Sequence, residues 1–429
     1  MDAPLAFCIG SAACAVNTLN AYRPLSKRGP FAVMSYLGGW PTSELPVHVL
    51  AAQAVVTVIC ASIWDVFRGT AGVVSAALLV LSWAGLIGLR LRARRAAALL
   101  ESALVEALGP DYRDRVVHPG PPMQPGTHPA RRPGVWRMLR AHKRYAHDKN
   151  IAYGDAGKSN LLDVWRRPDI LPGSGAPVLL QIPGGAWVLG NKQGQAYPLL
   201  SHLVEHGWVC VSISYRLAPK NLWPAHIVDV KKAIAWVKDN IADYGGDPSF
   251  IAVTGGSSGG HLSSLAALTW DDPSFQPGFE DADTRVQAAV PYYGVYDWSD
   301  EVETGGIIFL PHLQRTVMKV KWADDPEPFR KGSPLRRIRA DAPPFFVTVG
   351  VNDTMVSPRQ PRAFVPRLRQ VSEQPVAYAE LPDAQHGYDT FSSPRAAAAA
   401  EAVGRFLGVV YGEHRARSAA SPAAAPPPT

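Results

Sequence analysis

Cysteine is scarce in this chain, with Cys8, Cys14, Cys60 and Cys210 the only ones among 429 residues. The first three lie inside apolar N-terminal runs and Cys210 lies in an apparent core strand. No Cys-x-x-Cys pair and no Cys/His spacing of metal-ligand type accompanies them. That argues against a disulfide framework and against a structural zinc site. Charge is thin as well, at 18% of residues. The net charge of +7 suits a nucleic-acid partner only if the basic residues gather on a binding face. Instead Arg90, Arg92, Arg94 and Arg95 follow directly on an apolar run, as they do at the flank of a membrane helix. No nucleic acid is expected. No basic residue precedes the first apolar run, so a cleaved signal peptide is not expected either.

Long apolar runs are what the first quarter has in abundance. Residues 71–89 carry no charge over 19 positions, enough to span a bilayer. Residues 46–64 form a second candidate, interrupted only by His48 and Gln53, and residues 4–19 a shorter third. A buried helical hairpin is the alternative to two or three membrane spans. With three spans, Arg23, Lys27 and Arg28 share a side with the basic run after Leu89, and Arg68 stands alone in the opposite loop. The positive-inside rule then places the large C-terminal part in the cytoplasm, and the same holds with two spans. The expected organisation is a membrane segment over residues 1–95, a basic juxtamembrane, linker and cap region over 96–153, a catalytic domain over 154–415, and a disordered tail over 416–429.

Beyond residue 153, short apolar runs alternate with helical patterns, the signature of an α/β fold with a largely parallel sheet. Strands are predicted at 161–165, 177–182, 209–214, 250–254, 286–292, 345–350 and 376–381. Helices fall between them, as at 226–244, where Ile227, Val230, Ile234 and Val237 share a face. Residues 297–344 hold no clear strand and read as a lid-like insertion.

The chemistry centres on Gly255-Gly256-Ser257-Ser258-Gly259-Gly260, which follows the apolar run 250–254. This is the sequence form of a strained strand-to-helix turn that exposes a serine oxygen above a sheet. Two frames fit, one presenting Ser257 and the other Ser258. A serine hydroxyl needs a histidine to take its proton, and the histidine needs an acid to hold its tautomer. Asp353 lies just past the strand 345–350 and His386 just past 376–381, on the edge where open α/β sheets place ligands. Asp383 and Asp389 are rival acids, whose nearness to His386 suggests solvated loop residues. After the strand 177–182 comes Pro183-Gly184-Gly185-Ala186-Trp187, whose adjacent glycines can turn backbone N–H groups toward one point.

Together with Tyr215-Arg216-Leu217-Ala218-Pro219 and Gly245-Gly246-Asp247-Pro248, these blocks resemble the hormone-sensitive-lipase-like group of α/β-hydrolases. The likeness is strongest to actinobacterial lipase/esterases with N-terminal membrane segments, and it covers roughly residues 161–407. It implies an α/β-hydrolase fold, a mostly parallel sheet flanked by helices with a cap insertion, preceded by transmembrane helices. It also selects Ser257 as nucleophile, with Asp353 and His386 completing the triad. Gly184, Gly185, Ala186 and Ser258 then form the oxyanion hole. Two departures stand out. Pro183 occupies the place of the group's histidine in H-G-G-G, and Gly256 that of a common aspartate or glutamate.

The expected reaction is hydrolysis of acyl esters, small-molecule or lipid, through an acyl-enzyme intermediate, with no metal or organic cofactor. The same triad serves an amidase or peptidase, since the constellation does not fix the leaving group. A catalytically silent, membrane-anchored binding protein is the reading outside enzymes. The sequence sets no oligomeric state.

Overall fold

The structure is a computed structural model that describes residues 2–27, 29–120, 145–299, 301 and 310–420. Its N-terminal part is helical: α1 (Ala3–Tyr22), α2 (Gly29–Glu44), α3 (Pro46–Ile63), α4 (Gly69–Ala93) and α5 (Ala96–Leu108). Helices Ala3–Tyr22, Pro46–Ile63 and Gly69–Leu108 are long and apolar enough to cross a membrane. On them, large side chains such as Val56, Val58, Ile59, Val80 and Leu81 stand more than half exposed. Helix α2 was not read from sequence as an element. Its small and polar residues (Gly38, Gly39, Ser35, Thr42) break the apolar periodicity by which a helix is recognised.

The rest is built on one sheet of eight strands in the order β1-β2-β4-β3-β5-β6-β7-β8. These are β1 (Ala146–Ala152), β2 (Leu161–Arg166), β3 (Ala176–Ile182), β4 (Val209–Ile213), β5 (Gly246–Gly256), β6 (Ala288–Tyr292), β7 (Phe345–Gly350) and β8 (Val376–Leu381). Pairs β1/β2 and β2/β4 are antiparallel, and every other pair is parallel. All seven predicted strands are present. The eighth, β1, reads Ala-His-Asp-Lys-Asn-Ile-Ala, too polar to announce itself, because it lies on the sheet edge half in solvent. The parallel strands β3 and β6, and β5 from Phe250 to Gly255, are buried on both faces and largely apolar.

Helices cover both faces. On one, helix α7 (Ala225–Asn240) buries Ile227, Val230, Ile234 and Val237, and α8 (Ser258–Leu268) adds Leu262 and Leu265. On the other, α6 (Tyr197–Glu205) and α10 (Pro394–Ala420) share a core with α5, where Leu100 and Leu104 meet Phe406 and Leu407. Helix α9 (Arg359–Val371) packs between β7 and β8. Two expectations change here. Residues 96–108 and 146–152, expected in a juxtamembrane and cap region, contribute to the core and to the sheet. Residues 416–420, expected in a disordered tail, continue α10, because the helix has already been fixed by the burial of its Val403–Tyr411 stretch. Positions 421–429 of that tail, most of the basic stretch 131–149 and part of the insertion 297–344 lie outside the described residues.

The N-terminal helices grip the loops after β7 and β8. Asn352 Nδ2 donates to the Ala21 and Tyr22 carbonyls, both at 3.0 Å. Thr354 Oγ1 donates to Ala32 O at 2.9 Å, and Trp40 Nε1 to Gly387 O at 2.9 Å. Arg92 forks onto Asp383 at 2.7 and 3.0 Å. Arg395, 1% exposed, meets Glu44 at 3.0 Å, and Ser393 Oγ donates to the same carboxylate at 2.6 Å. Burial still pushes the Glu44 carboxyl above the ordinary glutamate range, with Arg395 the main opposing influence.

That pair is enclosed, so removing one partner strands a charge. Arg395→Met is expected to lower unfolding free energy by about 3–5 kcal/mol, and a Glu44→Met/Arg395→Met double variant to recover part of it. Denaturant unfolding of the full chain in detergent measures both; equal stability of the single variant and wild type overturns the assignment.

Candidate active site

The chain crosses from β5 into α8 through one residue, Ser257, held at φ 59° and ψ −121°. A non-glycine residue at such a φ is strained, and the strain is held by the contacts around it. Ser257 N–H donates to Tyr292 O at 3.0 Å, and Ser257 O accepts from His261 N at 2.9 Å. The glycines around it are close approaches of backbone to backbone. A Cβ on Gly259 would lie 2.2 Å from Ile182 O, and one on Gly184 would lie 2.4 Å from Gly256 O. The turn after β3 therefore rests directly on the elbow.

The loops after β7 and β8 bring the remaining predicted residues to the same edge. Asp353 is buried, with Oδ1 accepting from the N–H groups of Met355 (2.9 Å) and Val356 (2.7 Å). Its Oδ2 lies 2.7 Å from His386 Nδ1. That partner fixes Nδ1 as the protonated nitrogen and leaves Nε2 as the nitrogen available for a proton. His386 and Ser257 line one cavity of about 380 Å³. Gly184, Gly185 and Ala186 line it too.

Among the described residues, neither Gly185 N–H nor Ala186 N–H donates a hydrogen bond. Ser258 N–H opens helix α8, where the first amides have no partner within the helix. Gly184 differs from the expectation: its N–H donates to Gln195 Oε1 at 2.7 Å. A donor already bonded is not free for a developing oxyanion, which narrows the donor set to Gly185, Ala186 and Ser258.

The two rival acids are both buried, contrary to the expectation of solvated loop residues. Asp383 pairs with Arg92 across the interface with the N-terminal helices. Asp389 accepts a hydrogen bond from Tyr293 Oη, and burial raises its carboxyl above the usual aspartate range. Neither accepts the hydrogen bond from His386 Nδ1, which Asp353 accepts.

Tyr293 also accounts for Gly256. It follows β6, between the strands that carry Ser257 and Asp353, and a Cβ on Gly256 would lie 2.5 Å from its hydroxyl oxygen. The phenol occupies the space an acidic side chain would need. Tyr36 of α2 supplies another wall, lining the cavity and meeting the His386 ring edge-on at 6.2 Å. Its phenol is pushed up to about 12, first by burial and then by the negative charges of Asp353 and Asp389. Sequence reasoning missed Tyr293, Gln195 and Tyr36. The position of Tyr293 directly after a predicted strand was a usable signal; the other two carried none.

The far end of the glycine turn is fixed by an aromatic cluster. Ala186 and Trp187 adopt φ 53° and 63°. Trp187 Nε1 donates to His261 Nδ1 at 3.3 Å, and His261 Nε2 donates to Gly332 O at 2.6 Å. His226 Nε2 donates to Trp187 O at 3.2 Å. Burial holds His261 down to about 3 and His226 to about 4.

The BD-FAE family profile matches residues 163–368 of the chain. The probable carboxylic ester hydrolase LipM of Mycobacterium tuberculosis is 51% identical over 420 residues, covering 97% of this chain and 96% of that protein. Esterase LipQ of the same organism is 46% identical, covering 97% and 94%. Among solved structures, a bifunctional GH43-CE protein of Bacteroides eggerthii superposes with a TM-score of 0.50 at 28% identity, covering 56% of this chain and 33% of that one.

Two consequences are measurable. Gly256→Ala forces the Tyr293 ring to move and is expected to cost about 1–3 kcal/mol of stability, read by thermal unfolding; an unshifted midpoint overturns the packing argument. The buried histidines set a pH dependence. An unfolded histidine takes up a proton near pH 6.5, whereas folded His261 does so only near 3, so stability is present above about 6.5 and is lost as pH falls toward 3. Unfolding free energy is expected to decline between pH 7 and 5 in urea titrations, less steeply in His261→Phe. Parallel slopes in the two proteins contradict it.

Proposed function

The chain belongs to the hormone-sensitive-lipase-like actinobacterial lipase/esterases and is a carboxylic ester hydrolase, and from that premise we propose that it works through Ser257, His386 and Asp353. His386 Nε2 takes the Ser257 proton as Oγ attacks the ester carbonyl. Asp353 keeps the ring in the required tautomer and stabilises the imidazolium that forms. The N–H groups of Gly185, Ala186 and Ser258 receive the oxyanion. The alcohol leaves with the proton returned by His386, and water releases the acid from the acyl-enzyme by the same steps.

The observation that carries this reading is the 2.7 Å contact of Asp353 with His386 Nδ1 in a cavity that also holds the strained Ser257. The preferred substrates are acyl esters that partition near a bilayer. Supporting this is the cavity wall that Tyr36 supplies from α2, a helix that lies in the chain between two of the membrane-length helices. In this arrangement the three helices span the cell membrane and hold the hydrolase domain on the cytoplasmic face. Arg23, Lys27 and Arg28 after α1 and Arg90, Arg92, Arg94 and Arg95 at the end of α4 favour that orientation.

The purified full chain is expected to hydrolyse p-nitrophenyl esters of short to medium acyl chains, and faster than matched anilides. A fluorophosphonate probe is expected to label the peptide bearing Ser257. Ser257→Ala should lose both labelling and roughly 10⁴-fold or more of kcat. Undiminished turnover in that variant, or labelling at Ser258, rejects the assignment.

A further inference from the structure

Pro183 has no amide hydrogen to donate, so the start of the glycine turn needs to be fixed from elsewhere. Tyr215 Oη donates to the Pro183 carbonyl at 3.0 Å, which secures one acceptor and leaves Gly184 to another partner. Gln195 meets Gly184 in both directions. Its Oε1 accepts the Gly184 N–H at 2.7 Å, and its Nε2 donates to the Gly184 carbonyl at 3.0 Å. The side-chain amide thus pairs with one residue as a neighbouring strand would.

The second of these bonds reaches the oxyanion donors. The Gly184 carbonyl and the Gly185 N–H belong to one planar trans peptide and point in opposite directions. Whatever holds the carbonyl therefore aims the N–H. Gly190 also closes on this carbonyl, where a Cβ would lie 2.3 Å from the oxygen. Gly184 itself abuts the elbow, since a Cβ on it would come 3.3 Å from Ser257 Cβ. Rotation of this one peptide changes where Gly185 N–H points relative to the serine.

We propose that Gln195 is a positioning residue for the reaction: by clamping Gly184 it aims the Gly185 N–H at the oxyanion formed on attack by Ser257. The proposal rests on the reading of Ser257 as nucleophile. Gln195 acts through Gly184, and the gain appears when the carbonyl oxygen becomes tetrahedral and charged, not when the ester first binds.

The test uses the full chain with p-nitrophenyl butyrate and a trifluoromethyl ketone that forms a tetrahedral adduct with a serine. Gln195→Met keeps the length and loses both bonds. Gln195→Glu keeps the acceptor for Gly184 N–H but turns a carboxylate oxygen toward the Gly184 carbonyl. Both variants are expected to lose roughly 10- to 100-fold in kcat with KM changed less than about threefold. Affinity for the ketone should fall in parallel with kcat/KM, and the melting midpoint should stay near that of wild type. A wild-type kcat in either variant overturns the proposal. So does a loss that lies in KM, or one that tracks the melting midpoint while ketone affinity holds, because a purely structural glutamine gives that pattern. Should Gln195→Met not fold, Gln195→Glu carries the test on the same readouts. Fluorophosphonate labelling separates the two readings: wild type unlabelled at Ser257 removes the nucleophile assignment, whereas labelled wild type with fully active variants removes only the role of Gln195.

Discussion

The site depends on the contact between two backbones, the end of β3 with its glycine turn and the β5–α8 elbow. Gly259 lies under Ile182 O and Gly184 against Gly256 O, each too close to admit a Cβ. Only when these chains touch can Ser257 be held at a positive φ at the end of a central strand while the turn after β3 lies beside it. The strain at Ser257 is local, but what resists it is the parallel pairing of β3 with β5 and of β5 with β6, buried on both faces. A largely apolar, buried sheet centre thus serves as the rigid support for one polar atom. His386 lines the same cavity as Ser257 because β7 and β8 end on the same edge of the sheet.

The two departures from the family pattern have a common physical logic. Where Pro183 supplies no donor side chain, the turn is held by Gln195 and Tyr215 at its start and by His261 and His226 on Trp187 at its end. Where Gly256 supplies no acid, the hydroxyl of Tyr293 takes the space and donates a hydrogen bond to Asp389. In both places a side chain has been replaced by bracing from a residue distant in sequence. The polar groups involved are nearly all enclosed, and enclosed polar groups hold position well only when each finds a partner.

That distance in sequence explains what could be read without coordinates. All seven predicted strands were legible, because strands that are mostly buried are apolar runs bounded by turn residues, and Ser257, Asp353 and His386 each lie a few residues past such a run. The edge strand β1 was not legible, because one-sided burial and solvent exposure leave it polar. Helix α2 was not legible, because its small and polar residues break the apolar periodicity while Tyr36, Trp40 and the Ala32 carbonyl meet the loops after β7 and β8. Gln195 lay in a glycine-rich loop that nothing in the pattern distinguished. Asp383 and Asp389 were assigned to solvent on nearness to His386 alone, whereas their partners, Arg92 and Tyr293, are 291 and 96 residues away. Local pattern locates groups that the strands carry; it does not locate groups that are paired across the fold.

The same reasoning changes how the N-terminal helices are to be understood. A tether needs only a covalent connection, and its contacts with the body it carries can be few. Here the contacts fall on Asn352 and Thr354, which flank Asp353, and on Asp383 and Gly387, which bracket His386. A displacement of either loop by even an ångström would alter the geometry of the Asp353–His386 pair, on which the proposed proton transfer depends. Tyr36 and Trp40 stack on each other within the same helix, and Tyr36 closes the cavity wall beside the histidine ring. The Gly255–Gly260 run therefore does not define a self-sufficient hydrolase domain to which membrane-length helices were added. The helices form part of the structure that holds the proposed acid and base in register, so the position of the chain and its chemistry are coupled through the same hydrogen bonds.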